Sequence, residues 1–116
     1  MKHYVGTRIA GQAVVKVDGQ IFDPRLDLRR HSLDGFEWGY AGSGPAQLAL
    51  AFLVDHLRDV SQALAYYQDF KFAVVAGLDR NGWILTGDEI QRSIETFRPA
   101  LRGMSSQTGN MKGGRP

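Results

Sequence analysis

Cysteine is absent from the 116-residue chain. Its absence removes disulfides, thiolate zinc sites and cysteine nucleophiles, and it fits a reducing compartment, so a cytoplasmic location is expected. Long hydrophobic runs are missing too. The longest, Leu48 to Val54, falls far short of the roughly 20 residues needed to cross a bilayer. The opening "MKHYVGTRIAG" has one Lys ahead of a strand-like stretch and lacks the apolar core of a signal peptide, so no membrane partner is expected. Metalloprotease H-E-x-x-H, the P-loop G-x-x-x-x-G-K-[ST] and a nucleophile elbow do not occur, and there is no internal repeat.

What remains is the composition of one ordered domain. With 43% apolar and 22% charged residues, the chain lies far from the high-charge, low-hydrophobicity region of disorder. At this length, folding buries about 65% of the unfolded surface, enough for one core without metal or disulfide help. A globular domain over 1–101 and a flexible basic tail over 102–116 are expected. The tail holds Arg102, Lys112 and Arg115 with no acid, a charge of +3; the whole chain carries +2, which leaves the body at −1. A near-neutral body argues against a dedicated nucleic-acid domain, which would show a basic face of its own.

The pattern predicts an α+β fold. "YVGTRI", "AVVKV" and "QIF" read as three short strands, with Asp18-Gly19 as a two-residue hairpin signal, giving an N-terminal three-stranded antiparallel meander. Asp23-Pro24 ends the third strand. A long structured loop follows to Gly44, with a turn at Ser32-Leu33-Asp34-Gly35. After Pro45 comes a helix apolar on nearly every side, as expected of a central helix packed on more than one face. A second helix is predicted from about Ser61 to Ala76, with Leu64, Tyr67, Phe70 or Lys71, and Val74 on its inner side; residues 72–76 alternatively read as strand. Thr86-Gly87-Asp88-Glu89 fits a capping box that starts a third helix carrying Ile90, Ile94 and Phe97.

The stretch "HSLDGFEWGYAGSGPAQLALAFL" is the richest in functional options. In one reading Ser43 or Gly44 caps the central helix, Pro45 begins it and Gln47 reaches back as its third residue. In another, the amides from Gly42 to Ala46 hold a small anion or nucleotide at the positive end of the helix dipole. Phe36, Trp38 and Tyr40 alternate, so an extended segment turns all three to one side, either as core or as a partner anchor, with Arg25, Arg29 and Arg30 as a basic rim. Catalytic groupings are thin: His31-Ser32 with Asp27 or Asp34 supplies triad residue types without triad spacing, and Asp55, His56 and Asp59 read best as a solvated helix end rather than metal ligands.

Along "DPRLDLRRHSLDGFEWGYAGSGPAQLALAFL", with "VDGQIFDPR", "YQDFK" and "GWILTGDEI" beside it, the chain resembles a family of small uncharacterised bacterial proteins known as domain-of-unknown-function proteins, often carried by phages and plasmids. The likeness runs over about residues 3–98. Pro is common in the family where Leu33 stands here, and Gly where Ala41 stands. The resemblance carries over no catalytic residue; it implies a mobile-element setting, in which small proteins often bind host or defence machinery. The expectation is therefore a non-enzymatic binding protein without a cofactor, acting through a protein partner by way of Arg25, Arg29, Arg30, Phe36, Trp38, Tyr40, Gly42, Ser43 and Gly44, with inhibition of a bacterial defence complex as one such role. The alternatives are an anion or nucleotide site at Gly42–Ala46 and a weak nucleic-acid contact through the arginines and the tail.

Overall fold

Two hairpins build the sheet. β1 (His3–Ile9) turns through Ala10-Gly11 into β2 (Gln12–Val17), which turns through Asp18-Gly19 into β3 (Gln20–Ile21). At both turns the two linking residues have positive φ, 52° and 82° at the first and 49° and 83° at the second. That pair of left-handed conformations marks a tight turn whose twist matches the strands it joins. The computed structural model describes residues 2–97, so the expected tail and the last residues of the 1–101 domain lie outside the described residues.

The meander is joined by a fourth strand that was not anticipated from the sequence. β4 (Trp83–Thr86) pairs antiparallel with the free side of β1, giving the order β3-β2-β1-β4. Tyr4 faces Val17 on one side and Leu85 on the other, and Gly6 faces Val15 and Trp83. These residues form the inner face, all of them buried or partly buried. Gly6 is required there because the Trp83 indole occupies the space a Cβ would fill. The row Ile21, Lys16, Val5 and Ile84 runs across the outer face, where Ile21 and Ile84 are exposed.

α1 (Ser43–Leu57) lies on the inner face, and α2 (Val60–Ala73) and α3 (Gly87–Phe97) pack against it. As expected of a central helix, α1 is buried at every position from Gly44 to Val54. Phe52 is its hub, with the rings of Tyr4, Phe22, Trp83 and Phe70 at centroid distances of 5.1 to 5.9 Å. Strand, loop and second helix thus meet on one side chain. α2 starts where the Asp59 carboxylate accepts from the Gln62 amide at 3.1 Å, and it buries Ala63, Tyr67 and Phe70. It stops three residues before the predicted Ala76. The chain there passes into a single 3₁₀ turn, Val75–Gly77, whose Val75 carbonyl accepts from Gly39 in the long loop. Residues 72 and 73 are helical, so the strand alternative for 72–76 does not hold. The capping box forms as predicted: the Glu89 amide donates to Thr86 Oγ1 at 3.2 Å and the Thr86 amide to Glu89 Oε1 at 2.9 Å. Ile90 and Ile94 of α3 are fully buried.

Candidate functional site

The long loop between β3 and α1 is organised by one side chain on the helix. Gln47 is fully buried. Its Oε1 accepts from the amides of His31 (2.8 Å) and Ser32 (3.2 Å), and its Nε2 donates to the carbonyls of Pro24 (2.6 Å) and Arg29 (3.0 Å). Every hydrogen-bonding position of the amide is used, and four partly buried loop backbone groups are satisfied. The expected role of Gln47 as a reach-back cap is overturned. α1 begins at Ser43, earlier than Pro45, so Gln47 is its fifth residue and points to the loop. The N-cap is Gly42, in extended conformation and with no side-chain cap.

Beyond the turn at Leu33 and Asp34, the three alternating aromatics take different roles. Phe36 is half-buried against Phe22, at 5.6 Å between centroids. Trp38 is only 1% exposed, edge-on to Trp83 at 5.3 Å, and its Nε1 donates to the Arg80 carbonyl at 3.2 Å. It offers a partner no surface. Gly39 then turns the chain with φ +87°, its missing Cβ leaving room for the Arg80 side chain. Tyr40 emerges 44% exposed, its ring resting on Gly42. The side chains therefore do not stay on one side: the left-handed glycine between Trp38 and Tyr40 sends one inward and the other out.

Arg8 of β1 braces this end. Its NH1 donates to Glu37 Oε2 at 2.9 Å, its Nε to the Arg80 carbonyl at 2.9 Å, and its guanidinium lies 4.5 Å above the Trp38 ring. The hydrogen bond from Arg8 holds the Glu37 carboxyl below the usual carboxylate range, and the same bond raises Arg8. Glu37 also covers Gly44: a Cβ there would lie 2.6 Å from Glu37 Cβ. An acid over Gly44, a ring over Gly42 and the absent amide hydrogen of Pro45 mark the start of α1.

The basic rim is dispersed. Arg25 forms a two-pronged pair with Asp27, at 3.0 and 3.1 Å, and lines a cavity with Val54 and Asp55 at the other end of α1. Arg29 donates to the neighbouring Leu28 carbonyl, and Arg30 is exposed. Ser43 is exposed and Gly44 buried. The triad residue types do not assemble: His31 Nε2 pairs with the Tyr67 hydroxyl at 2.6 Å, whereas Asp27 is held by Arg25.

Asp55 departs most from its expected role. Instead of a solvated helix end, it is the anchor of β1, taking Lys2 Nζ at 2.9 and 3.0 Å and the Tyr4 hydroxyl at 2.5 Å. Burial, reinforced by the bond to Asp55, pushes the Tyr4 phenol far above its ordinary value. Its partners lie more than fifty residues away in sequence, so no local signal marks it. Asp59 lies outside α1 as the cap of α2, and His56 pairs with Gln91 at 2.7 Å. Among the described residues, no cluster of His, Cys, Asp and Glu is arranged to hold a metal ion, and no helix is long and apolar enough to cross a membrane.

No curated protein and no solved structure matches the chain. A family model covers residues 4–96, which takes in the sheet, the loop and nearly all of the three helices, and the chain therefore belongs to the family of unknown function DUF6166.

Proposed function

We propose that this is a small, non-enzymatic binding protein that works through protein contacts at the face presented by Tyr40 and the neighbouring loop. The observation that carries the reading is the contrast between a 44% exposed Tyr40 and the buried framework beneath it. An aromatic ring resting on Gly42, beside the buried Gly44, meets the requirements of a binding anchor: large contact area and few degrees of freedom to lose. The side chains that could have served catalysis are committed to structure, His31 to Tyr67 and Asp55 to Lys2 and Tyr4. The mobile-element setting implied by the family resemblance, together with a cysteine-free chain suited to the cytoplasm, makes a component of a bacterial defence complex the first partner class to test.

The test compares wild type with Tyr40→Ala for affinity towards a partner captured from the native host and then purified. The expected outcome is a loss of about 2 kcal/mol, close to thirtyfold in Kd, with an unfolding midpoint nearly unchanged, because the ring is already half in water. An unaltered Kd removes Tyr40 as the anchor and this face as the binding surface.

A further inference from the structure

At the opposite end of α1, roughly 22 Å from its start for a helix of 15 residues, lies a cavity of about 460 Å³ between the last turns of the helix and the β2–β3 edge. Its floor is apolar, made by Val17, Phe22, Ala51 and Val54. Its rim carries two acids and two bases, Asp23, Asp55, Arg25 and Arg58. The volume lies within the usual range for small-molecule sites, and an apolar floor with a few convergent polar groups is their usual composition.

The charges of the rim are not equivalent. Asp55 is matched by Lys2 and Tyr4, and Arg25 by Asp27. Among the described residues, Asp23 accepts only from the Arg25 backbone amide, through Oδ1 at 2.9 Å, which leaves its other oxygen available. The Arg58 guanidinium has no hydrogen bond or ion pair among the described residues, and the residue is exposed. One carboxylate and one guanidinium therefore remain to recognise a ligand. The cavity also sits at the C-terminal end of α1, where the helix dipole favours a cation.

A second feature singles out the same place. Among the described residues, four non-glycine residues have positive φ; Ala10 and Asp18 are accounted for by the hairpins, and the other two are Arg25 and Arg58, both at 55° and both on this cavity. Arg58 ends α1 in the left-handed conformation that glycine usually supplies, its amide donating to the Val54 carbonyl. A bulky side chain held there costs of order 1 kcal/mol, and such strain gathers at ligand sites.

We propose that this cavity binds a free α-amino acid with an apolar side chain. The carboxylate pairs with Arg58, the ammonium with Asp23, and the side chain lies on Val17, Phe22, Ala51 and Val54. This site is separate from the Tyr40 face, so either can fail without the other.

Isothermal titration of the full chain decides the matter, with L-leucine and L-phenylalanine as probes and two leucine analogues as controls: 4-methylpentanoate, which lacks the ammonium, and 3-methylbutylamine, which lacks the carboxylate. At least one amino acid is expected to bind, and each single-charge analogue at least tenfold more weakly than leucine. Arg58→Gly removes the guanidinium while keeping a residue suited to the left-handed cap, and Asp23→Asn keeps an acceptor for the Arg25 amide while removing the charge. Each is expected to weaken amino-acid binding at least tenfold without lowering the unfolding midpoint. The proposal is overturned if neither amino acid binds the wild-type chain, if either analogue binds as well as leucine, or if both variants keep wild-type affinity.

Discussion

The two ends of α1 are fastened by different physics. At the N-terminal end, the fully buried Gln47 side chain ties helix and loop together through its bonds to Pro24, Arg29, His31 and Ser32. At the C-terminal end, β1 is fastened through Lys2 and Asp55, side chains that are 37% and 27% exposed. An ion pair in contact with water is screened and gains little, whereas a buried amide exacts a large cost when its partners lose it. The end held by the Gln47 amide should therefore be the harder to damage by salt or pH and the easier to damage by mutation.

Gln47→Leu breaks the comparison most directly. It is close in volume but strands two amides and two carbonyls, at about 1 to 3 kcal/mol each with partial relief by water, so a loss of about 4 kcal/mol is expected in urea denaturation. A loss under 1 kcal/mol would show that the loop finds other partners and that the two ends do not differ as described. Asp55→Asn comes next. The ion pair to Lys2 disappears, while an amide can still accept from Tyr4, so the expected cost is about 1.5 kcal/mol, decreasing as salt is raised. If added salt leaves the difference between wild type and variant unchanged, the joint is not electrostatic in origin.

A third joint lies near the charged end but involves a cap rather than an ion pair. The Gly87 amide donates to the Lys2 carbonyl at 3.0 Å, immediately after Thr86 has capped α3. Thr86→Ala is expected to cost about 1 kcal/mol, the usual value of a lost cap acceptor, with no salt dependence. An unchanged denaturation midpoint would remove the capping box from the account of how α3 is held.

What could be read from the sequence follows the range of the interactions involved. Asp18-Gly19 and Thr86 to Glu89 were legible because each is closed by residues within three positions. β4 was missed because four residues between a turn and a helix cap are too few for a periodic signal, although Trp83 and Leu85 inward with Ile84 outward do alternate. Within the candidate site, the aromatic pattern drew attention to the correct stretch but did not separate Trp38 from Tyr40, since that depends on a single left-handed glycine between them. From sequence, Gln47 and Asp55 look like local helix features, one a cap and the other a solvated end. Their partners lie 15 to 23 and 51 to 53 residues away, and only the fold brings them together.

The smallest expected effect sharpens the comparison by placing an ion pair at the otherwise uncharged end. Arg8 and Glu37 are 25% and 36% exposed at their side chains, so solvent screens them much as it screens Lys2 and Asp55. If exposure rather than position sets the value of a charge pair, Glu37→Gln should cost only about 0.5 kcal/mol at pH 7, despite the contacts of Arg8 with Trp38 and Arg80. The pH dependence has a definite sign. The bond from Arg8 lowers the carboxyl in the folded state, so the unfolded chain takes up the proton first as acid is added. The contribution of Glu37 is thus complete above its ordinary range, about pH 4.3, and is lost as pH falls through the lower folded value. Urea titrations of wild type and Glu37→Gln at pH 7 and pH 3 should show the gap closing in acid. A gap that widens in acid reverses the assigned shift. One of 2 kcal/mol or more at pH 7 would mean that the aromatic surroundings protect this pair from solvent, so that location along α1 outweighs exposure.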